Sequence, residues 1–230
     1  MSFFKAKTDK KALEQNTGSN YLNASGCFPV NIIAPFASTS AKGSTSVDMF
    51  IDHKDQKQVI YGNLRVTNND GNENAIGAKT FNQLLIIAGV EEIGEPTEGE
   101  LPIGKSGADS DVAVLEELCD IDVILRIQME YGAYMGNITE KKVIRGFFRA
   151  EDNASAEEIV NGDESQFGVQ FAKEEKYFAN VTYKDGMDAE LIEAWVALKR
   201  PKGTAKAGGS AGASAAKKPS FGQKKGFGKS

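Results

Sequence analysis

Two segments with the two-residue period of β-strands carry aromatic and cationic side chains on one face. In VIYGNLRVT that face holds Tyr61 and Arg65, and in KVIRGFFRA it holds Arg145, Phe147 and Arg149. Arginine side chains pair with phosphate groups, and flat rings stack on nucleic-acid bases whatever the base sequence. This combination of residues predicts a strand face that binds single-stranded nucleic acid.

Two further strand-like segments add candidates to this face. Phe50 in VDMFIDH and Arg126 in DVILRIQMEY lie opposite the apolar face of their own segments. We expect both side chains to join the predicted surface if their strands are neighbours. The competing interpretation for each ring is burial under a long loop or a terminal helix, whereas a charge interleaved with rings is rare in a core.

The C-terminal segment differs in charge from the rest of the chain. Nine of the 27 Lys and Arg residues, and none of the 32 Asp and Glu residues, lie in residues 199–230, so this segment carries about +9 and the preceding residues about −14. Its Gly, Ala, Ser and Lys content predicts disorder, and its cations predict binding of polyanions by counterion release. Phe221 and Phe227 add rings that can stack on bases. The tail lysines that we assign to nucleic-acid binding are Lys217, Lys218, Lys224 and Lys225.

The elements that must position these residues can be predicted from periodicity. The order is three strands, a helix, two long strands and a terminal helix. The first strand, in CFPVNIIAPF, has Pro29 and Pro35 near its ends, which favours an edge position. Thr80 is the predicted N-cap of the first helix, and Gly89 follows its end. The buried stripe predicted for the terminal helix consists of Leu191, Ala194, Trp195 and Leu198.

Five main strands with one intervening helix are typical of a small Greek-key barrel of the OB type. We therefore expect a mainly β fold with flanking helices, organised as a five-stranded OB-like barrel. Residues 1–23 are predicted to be a flexible N-terminal arm, residues 24–199 the OB-like domain, and residues 200–230 a disordered basic tail. Another small β-barrel or an α+β sandwich fits the same order of elements.

Motifs for the common catalytic and cofactor chemistries are not found in the sequence. It contains no phosphate-binding loop, dinucleotide fingerprint or nucleophile elbow. The lone His53 and the isolated Cys27 and Cys119 do not form a metal-ligand pattern, so we expect no cofactor, no metal and no enzymatic activity. Isolated cysteines favour a cytoplasmic protein, and no apolar run is long enough to cross a membrane.

The layout of the chain resembles the single-stranded DNA-binding proteins of tailed bacteriophages. The resemblance is carried by the polar N-terminal arm, the stretch VIYGNLRVTNNDGNENAIGAKTFNQLLIIAGV and the charged C-terminal segment, and it covers mainly residues 25–150. It implies an OB-type fold, sequence-tolerant binding of single-stranded DNA, and a role in DNA replication, recombination or repair in the cytoplasm of a host cell. The predicted partners are single-stranded DNA, other copies of the chain and other replication proteins.

The chain departs from this family in its tail, since many such proteins end in an acidic segment that recruits replication enzymes. A basic tail is expected instead to contact DNA or the acidic body of a neighbouring molecule.

Two other functions fit the sequence. One is a structural or interaction protein whose basic tail docks on an acidic partner. In that case the candidate residues on the strands would be scattered rather than share one groove. The other is a metal-dependent nuclease that uses strand-end carboxylates. The carboxylates available for that chemistry are Asp48, Asp52, Asp120 and Asp122.

Overall fold

The computed structural model describes residues 20–104 and 107–199, except for the side chains of Gly62 and Asn63. The chain forms two compact units. Among the described residues, the larger unit comprises 20–104, 107–130 and 140–182, and the smaller unit comprises 131–139 and 183–199.

The described residues form eight strands and four α-helices. The strands are β1 (Gly26–Thr39), β2 (Thr45–His53), β3 (Gln56–Arg65), β4 (Thr97–Leu101), β5 (Ser110–Val114), β6 (Ile121–Tyr134), β7 (Asn137–Arg149) and β8 (Thr182–Tyr183). The helices are α1 (Ala75–Ala88), α2 (Ala156–Asn161), α3 (Val169–Glu174) and α4 (Ala189–Lys199). The prediction of a mainly β fold with a few helices is confirmed.

The strands form one sheet in the order β3-β2-β1-β5-β4, and β6 pairs with β1, β7 and β8. Strand β1 organises this sheet because it is paired along both edges. On one edge it pairs antiparallel with β2, and on the other its first half pairs with β6 while Phe36 and Ala37 pair with β5. The pairings between the described residues leave the sheet open.

The edge position predicted for β1 from its prolines is wrong. Pro29 lies opposite Ile124 of β6, and Pro35 lies opposite Met49 of β2. A proline lacks only the N–H group, so its carbonyl oxygen still accepts hydrogen bonds. The backbone N–H of Leu115 donates to the Pro35 oxygen at the point where β1 changes partner from β6 to β5.

The core is built from strand faces that the alternating pattern predicts correctly. Ile60 and Leu64 of β3 are buried. In β6 the buried face consists of Val123, Leu125, Ile127, Met129 and Tyr131. The long segment between α1 and β6 contains the β4–β5 hairpin, which joins the sheet through β5.

Helix α1 begins earlier than predicted. Asn74, not Thr80, is its N-cap, and the Asn74 side chain accepts a hydrogen bond from the backbone N–H of Gly77. Gly89 ends the helix in the left-handed conformation with φ of 68°, as predicted. A Cβ atom placed on Gly77 would stand 1.6 Å from the carbonyl oxygen of Arg65. Helix α1 therefore approaches β3 so closely at this position that only glycine fits.

The segment after β7 covers part of the sheet in the larger unit. Helix α2 starts with a capping box in which Ser155 and Glu158 exchange hydrogen bonds. Beyond it, Phe171 and Phe178 pack on Phe148 of β7, with ring centroids 5.1 and 6.1 Å from the Phe148 ring. This group of rings, together with Ile124, is called the phenylalanine cluster below.

Helix α4 in the smaller unit uses a different face from the one predicted. Ile192 is buried, while Leu191 is partly exposed and Leu198 is almost fully exposed. None of the four described helices is both long and apolar enough to cross a membrane.

Candidate nucleic-acid interface

The structure places the seven strand residues predicted to bind nucleic acid in three different environments. Tyr61, Arg65 and Arg145 are exposed. Phe50 and Phe147 are 5% and 2% exposed, and Arg126 and Arg149 are half-buried. The tail candidates Lys217, Lys218, Lys224 and Lys225 lie outside the described residues.

The prediction that the rings of Phe50 and Phe147 are available for stacking is wrong. Both strands are covered on both faces where these rings lie. In β2 the face that carries Phe50 also buries Ser46 and Asp48. In β7 the consecutive rings Phe147 and Phe148 point to opposite faces, and both are buried. An alternating pattern cannot show this, because the covering residues come from other parts of the chain.

Arg126 is held by residues from the segment that follows β7. Its guanidinium group donates to the Glu174 carboxylate, and its Cζ atom lies 5.2 Å from the centroid of the Phe178 ring. The Glu174 carboxylate also accepts from the Gln170 amide. Arg126 and Arg145 line the same small cavity, of about 50 Å³, and Arg145 donates to the Gln128 side chain at 2.7 Å.

Arg149 is also committed to a carboxylate. Its Nε and Nη2 atoms donate to the two oxygens of Asp152 at 3.1 and 2.6 Å, and its guanidinium group stacks over the Phe167 ring at 4.8 Å. Hydrogen bonding to Arg149 lowers the pKa of the Asp152 carboxyl. The pair therefore stays ionised well below neutral pH, and a phosphate group would have to compete with Asp152 for Arg149.

Tyr61 lies in a second and much larger cavity, a groove of about 800 Å³ between the β4–β5 hairpin and strands β1 to β3. The ring is 55% exposed, and its hydroxyl group donates to the carbonyl oxygen of Ile103 at 3.3 Å. The carboxylates that line this groove belong to Asp48, Glu98, Glu100 and Asp111. Negative charge beside Tyr61 opposes the approach of a phosphate backbone.

The predicted residues do not share one surface. Among the described residues, no side chain lines both the groove at Tyr61 and the small cavity at Arg145. The prediction that they share one surface depended on the assumption that the polar face of every strand is open to solvent.

The smaller unit contains an aromatic group that was not predicted from the sequence. Tyr131 stacks with Tyr183 at a centroid distance of 6.3 Å and meets Trp195 edge to face at 6.2 Å. Tyr183 is 38% exposed, and the Nζ atom of Lys199 lies 4.4 Å from the centroid of the Trp195 ring. We call Tyr131, Tyr183 and Trp195 the aromatic platform.

The platform is built from three elements that are distant in sequence. Tyr131 is on β6, Tyr183 is on the two-residue strand β8, and Trp195 is on α4. The backbone N–H of Lys184 donates to the carbonyl oxygen of Tyr131 at 2.8 Å, which fixes β8 beside β6. The available signal was Tyr183 and the single tryptophan, Trp195, which lie shortly before the basic tail, whereas nothing in the sequence connects Tyr131 with them.

The described residues give little support to histidine chemistry or to metal binding. His53 is buried, its Nδ1 atom donates to the Pro29 carbonyl oxygen at 2.8 Å, and its ring meets Phe28 edge on. No three His, Cys, Asp or Glu side chains between residues 20 and 199, outside the two undescribed positions, are grouped so that they could hold a metal ion.

Cys27 is expected to be inert towards alkylation in the folded protein. Burial raises the pKa of its thiol to about 12, so almost no reactive thiolate exists at pH 8. Iodoacetamide at pH 8, followed by mass spectrometry, should modify Cys27 only after the protein is unfolded in urea. Modification of the native protein as fast as that of a cysteine-containing peptide would contradict this expectation.

No protein-family model matches the chain, and no curated protein matches it.

Proposed function

We propose that the chain is a sequence-tolerant, non-enzymatic single-stranded DNA-binding protein with an OB-like barrel, acting in DNA replication, recombination or repair. In this proposal its partners are single-stranded DNA, other copies of the chain and other replication proteins. DNA is bound by base stacking on the aromatic platform and by phosphate pairing with the cations of the tail.

The strand connectivity supports the barrel. The meander β1–β2–β3 is followed by helix α1. Strand β6, which comes later in the chain, pairs with the edge of β1 that does not pair with β2. A first strand shared between β2 and a late strand is what a small Greek-key barrel requires. The β4–β5 hairpin is an addition to this plan, placed between α1 and β6.

The observation that carries the proposed function is the aromatic platform followed directly by the basic tail. Tyr183 and Trp195 are partly exposed rings, and Lys199 marks both the end of α4 and the first of the nine cations in residues 199–230. Rings and cations in this order match what single strands need, because each stacked base contributes about 1–3 kcal/mol and each paired phosphate releases counterions.

The first test compares a mixed-sequence oligonucleotide as a single strand and as a duplex, by fluorescence anisotropy at two salt concentrations. We expect tight binding of the single strand that weakens steeply with salt, and weak binding of the duplex. Absence of binding, or equal binding of both forms, would contradict the proposal.

Tyr183→Ala is expected to weaken single-strand binding, since it removes the most exposed ring of the platform. The loss should be about 1–3 kcal/mol if one base stacks there. Tyr183→Phe is the matched control, because it keeps the ring and removes only the hydroxyl group. Equal losses of affinity in both variants would show that stacking on this ring is not the cause.

One observation favours the second function, that of a structural or interaction protein whose basic tail docks on an acidic partner. The strand candidates are scattered: Tyr61 lies in an acid-lined groove, Phe147 is buried, and Arg149 is paired with Asp152. The anisotropy test separates the two functions, because a pure interaction protein would not prefer the single strand to the duplex.

A further inference from the structure

The groove at Tyr61 is a large concave surface of the larger unit whose chemistry the proposed function does not use. Its volume of about 800 Å³ lies within the range of roughly 300–1,000 Å³ that is typical of ligand clefts. Its apolar lining includes Phe36, Val112, Ala113 and Ile103. A single-stranded DNA would find apolar contact there but no described cation.

The described charged residues that line the groove all carry negative charge. Glu98 and Glu100 lie on β4, and Asp111 lies on β5, with all three side chains exposed. Asp48 of β2 adds a buried carboxylate to the same lining. No Lys or Arg among the described residues lines the groove. A ligand of complementary chemistry is therefore a cationic segment that also carries apolar side chains.

The chain itself contains such a segment. In residues 199–230 there are nine cations and no acids, and the stretch FGQKKGF places Lys224 and Lys225 between the rings of Phe221 and Phe227. The rings match the apolar lining of the groove, and the lysines match the carboxylates of Glu98, Glu100 and Asp111. Docking between two copies does not require that the segment be able to reach the groove of its own chain.

We propose that the groove is the docking site for the basic C-terminal segment of a second copy of this chain. Phe221 or Phe227 enters the apolar part of the groove, and Lys224 and Lys225 pair with its carboxylates. Because the donor segment and the acceptor groove are different surfaces, the contact is heterologous and can propagate from copy to copy. This inference goes beyond the proposed function and does not depend on nucleic-acid binding.

The test uses the full chain without nucleic acid. Equal amounts of unlabelled and ¹⁵N-labelled protein are mixed, and a water-soluble carbodiimide condenses carboxylates with lysine amines that are in direct contact, with loss of one water. We expect mixed-isotope cross-links from Lys224 or Lys225 to Glu98, Glu100 or Asp111. These links should disappear at 1 M salt, where the Debye length is about 3 Å.

Matched variants separate docking in the groove from general charge attraction. The triple variant E98Q/E100Q/D111N neutralises the groove, and the control E73Q/E164Q/E175Q removes the same charge from three exposed positions elsewhere. In sedimentation velocity, self-association should weaken at least several-fold in the first variant and stay near the wild-type level in the control. F221A/F227A, which changes no charge, should also weaken it.

Three results would overturn the proposal. One is cross-links that never mix isotopes, since the segment would then dock on its own chain. Another is equal weakening by the groove variant and its control. The third is a full chain that remains monomeric at low salt with no link between the segment and the groove.

Discussion

Gly77→Ala is expected to destabilise the protein by about 3 kcal/mol or more, although helix propensity alone predicts the opposite sign. Alanine in a helix interior is normally about 0.5–1 kcal/mol better than glycine. Here the new Cβ atom would stand 1.6 Å from the carbonyl oxygen of Arg65 and 2.5 Å from its carbonyl carbon. Both are backbone atoms of β3, so no side-chain rotation relieves the overlap. Helix α1 or strand β3 must move, and such overpacking costs more than the propensity gain.

Urea unfolding of Gly77→Ala and the wild type measures this difference directly. Ile76→Ala is the control in the same helix, since Ile76 is 80% exposed and its replacement should change stability by no more than about 0.5 kcal/mol. A Gly77→Ala variant as stable as the wild type, or more stable, would show that α1 and β3 are not in contact at Gly77.

Phe148→Ala is expected to cost about 3–5 kcal/mol, because Phe148 is the ring that the sheet contributes to the phenylalanine cluster. The ring is 4% exposed and contacts the rings of Phe171 and Phe178, which belong to the segment after β7. Its removal leaves a cavity and loosens that segment. The ion pair between Arg126 and Glu174 should weaken as a consequence, since Phe178 and Glu174 lie on the same segment.

Two measurements check the Phe148 prediction. The first is the midpoint of urea unfolding, which should fall more for Phe148→Ala than for the larger replacement Phe148→Leu. The second is alkylation of Cys27, which packs against the phenylalanine cluster and should become reactive in the alanine variant below the unfolding transition. If stability falls while Cys27 stays protected from alkylation, the predicted loosening of the segment around Cys27 is wrong.

The sequence predicts best the strand faces that form the core. Strand β6 shows five alternating apolar residues from Val123 to Tyr131, and all five are buried as predicted. Strand β7 misleads because the phenylalanine cluster covers its second face, and neither Phe171 nor Phe178 has a pattern that reveals where it packs. The same limit explains Phe50, which lies on a strand with two buried faces.

The helix boundaries and the functional surface depend on contacts between residues that are close in space but separated in sequence. Both Asn74 and Thr80 can cap a helix, and the contact of Gly77 with Arg65 accompanies the earlier start. The aromatic platform needs β8, which has only two residues and no detectable period. The charge contrast between the acidic body and the basic tail, by contrast, follows from composition alone.

The position of β1 in the sheet has a consequence for the order in which a newly made chain can fold. Strand β1 can pair with β2 and β3 as soon as residue 65 is available, since these three strands follow one another. Its opposite edge must wait for partners as distant as Ile127, which lies opposite Gly26. Contacts of such long sequence separation form slowly. During synthesis β1 therefore exposes a row of unpaired backbone groups until β5 and β6 emerge, and a ribosome-stalled chain that ends before residue 110 should be the most prone to aggregate.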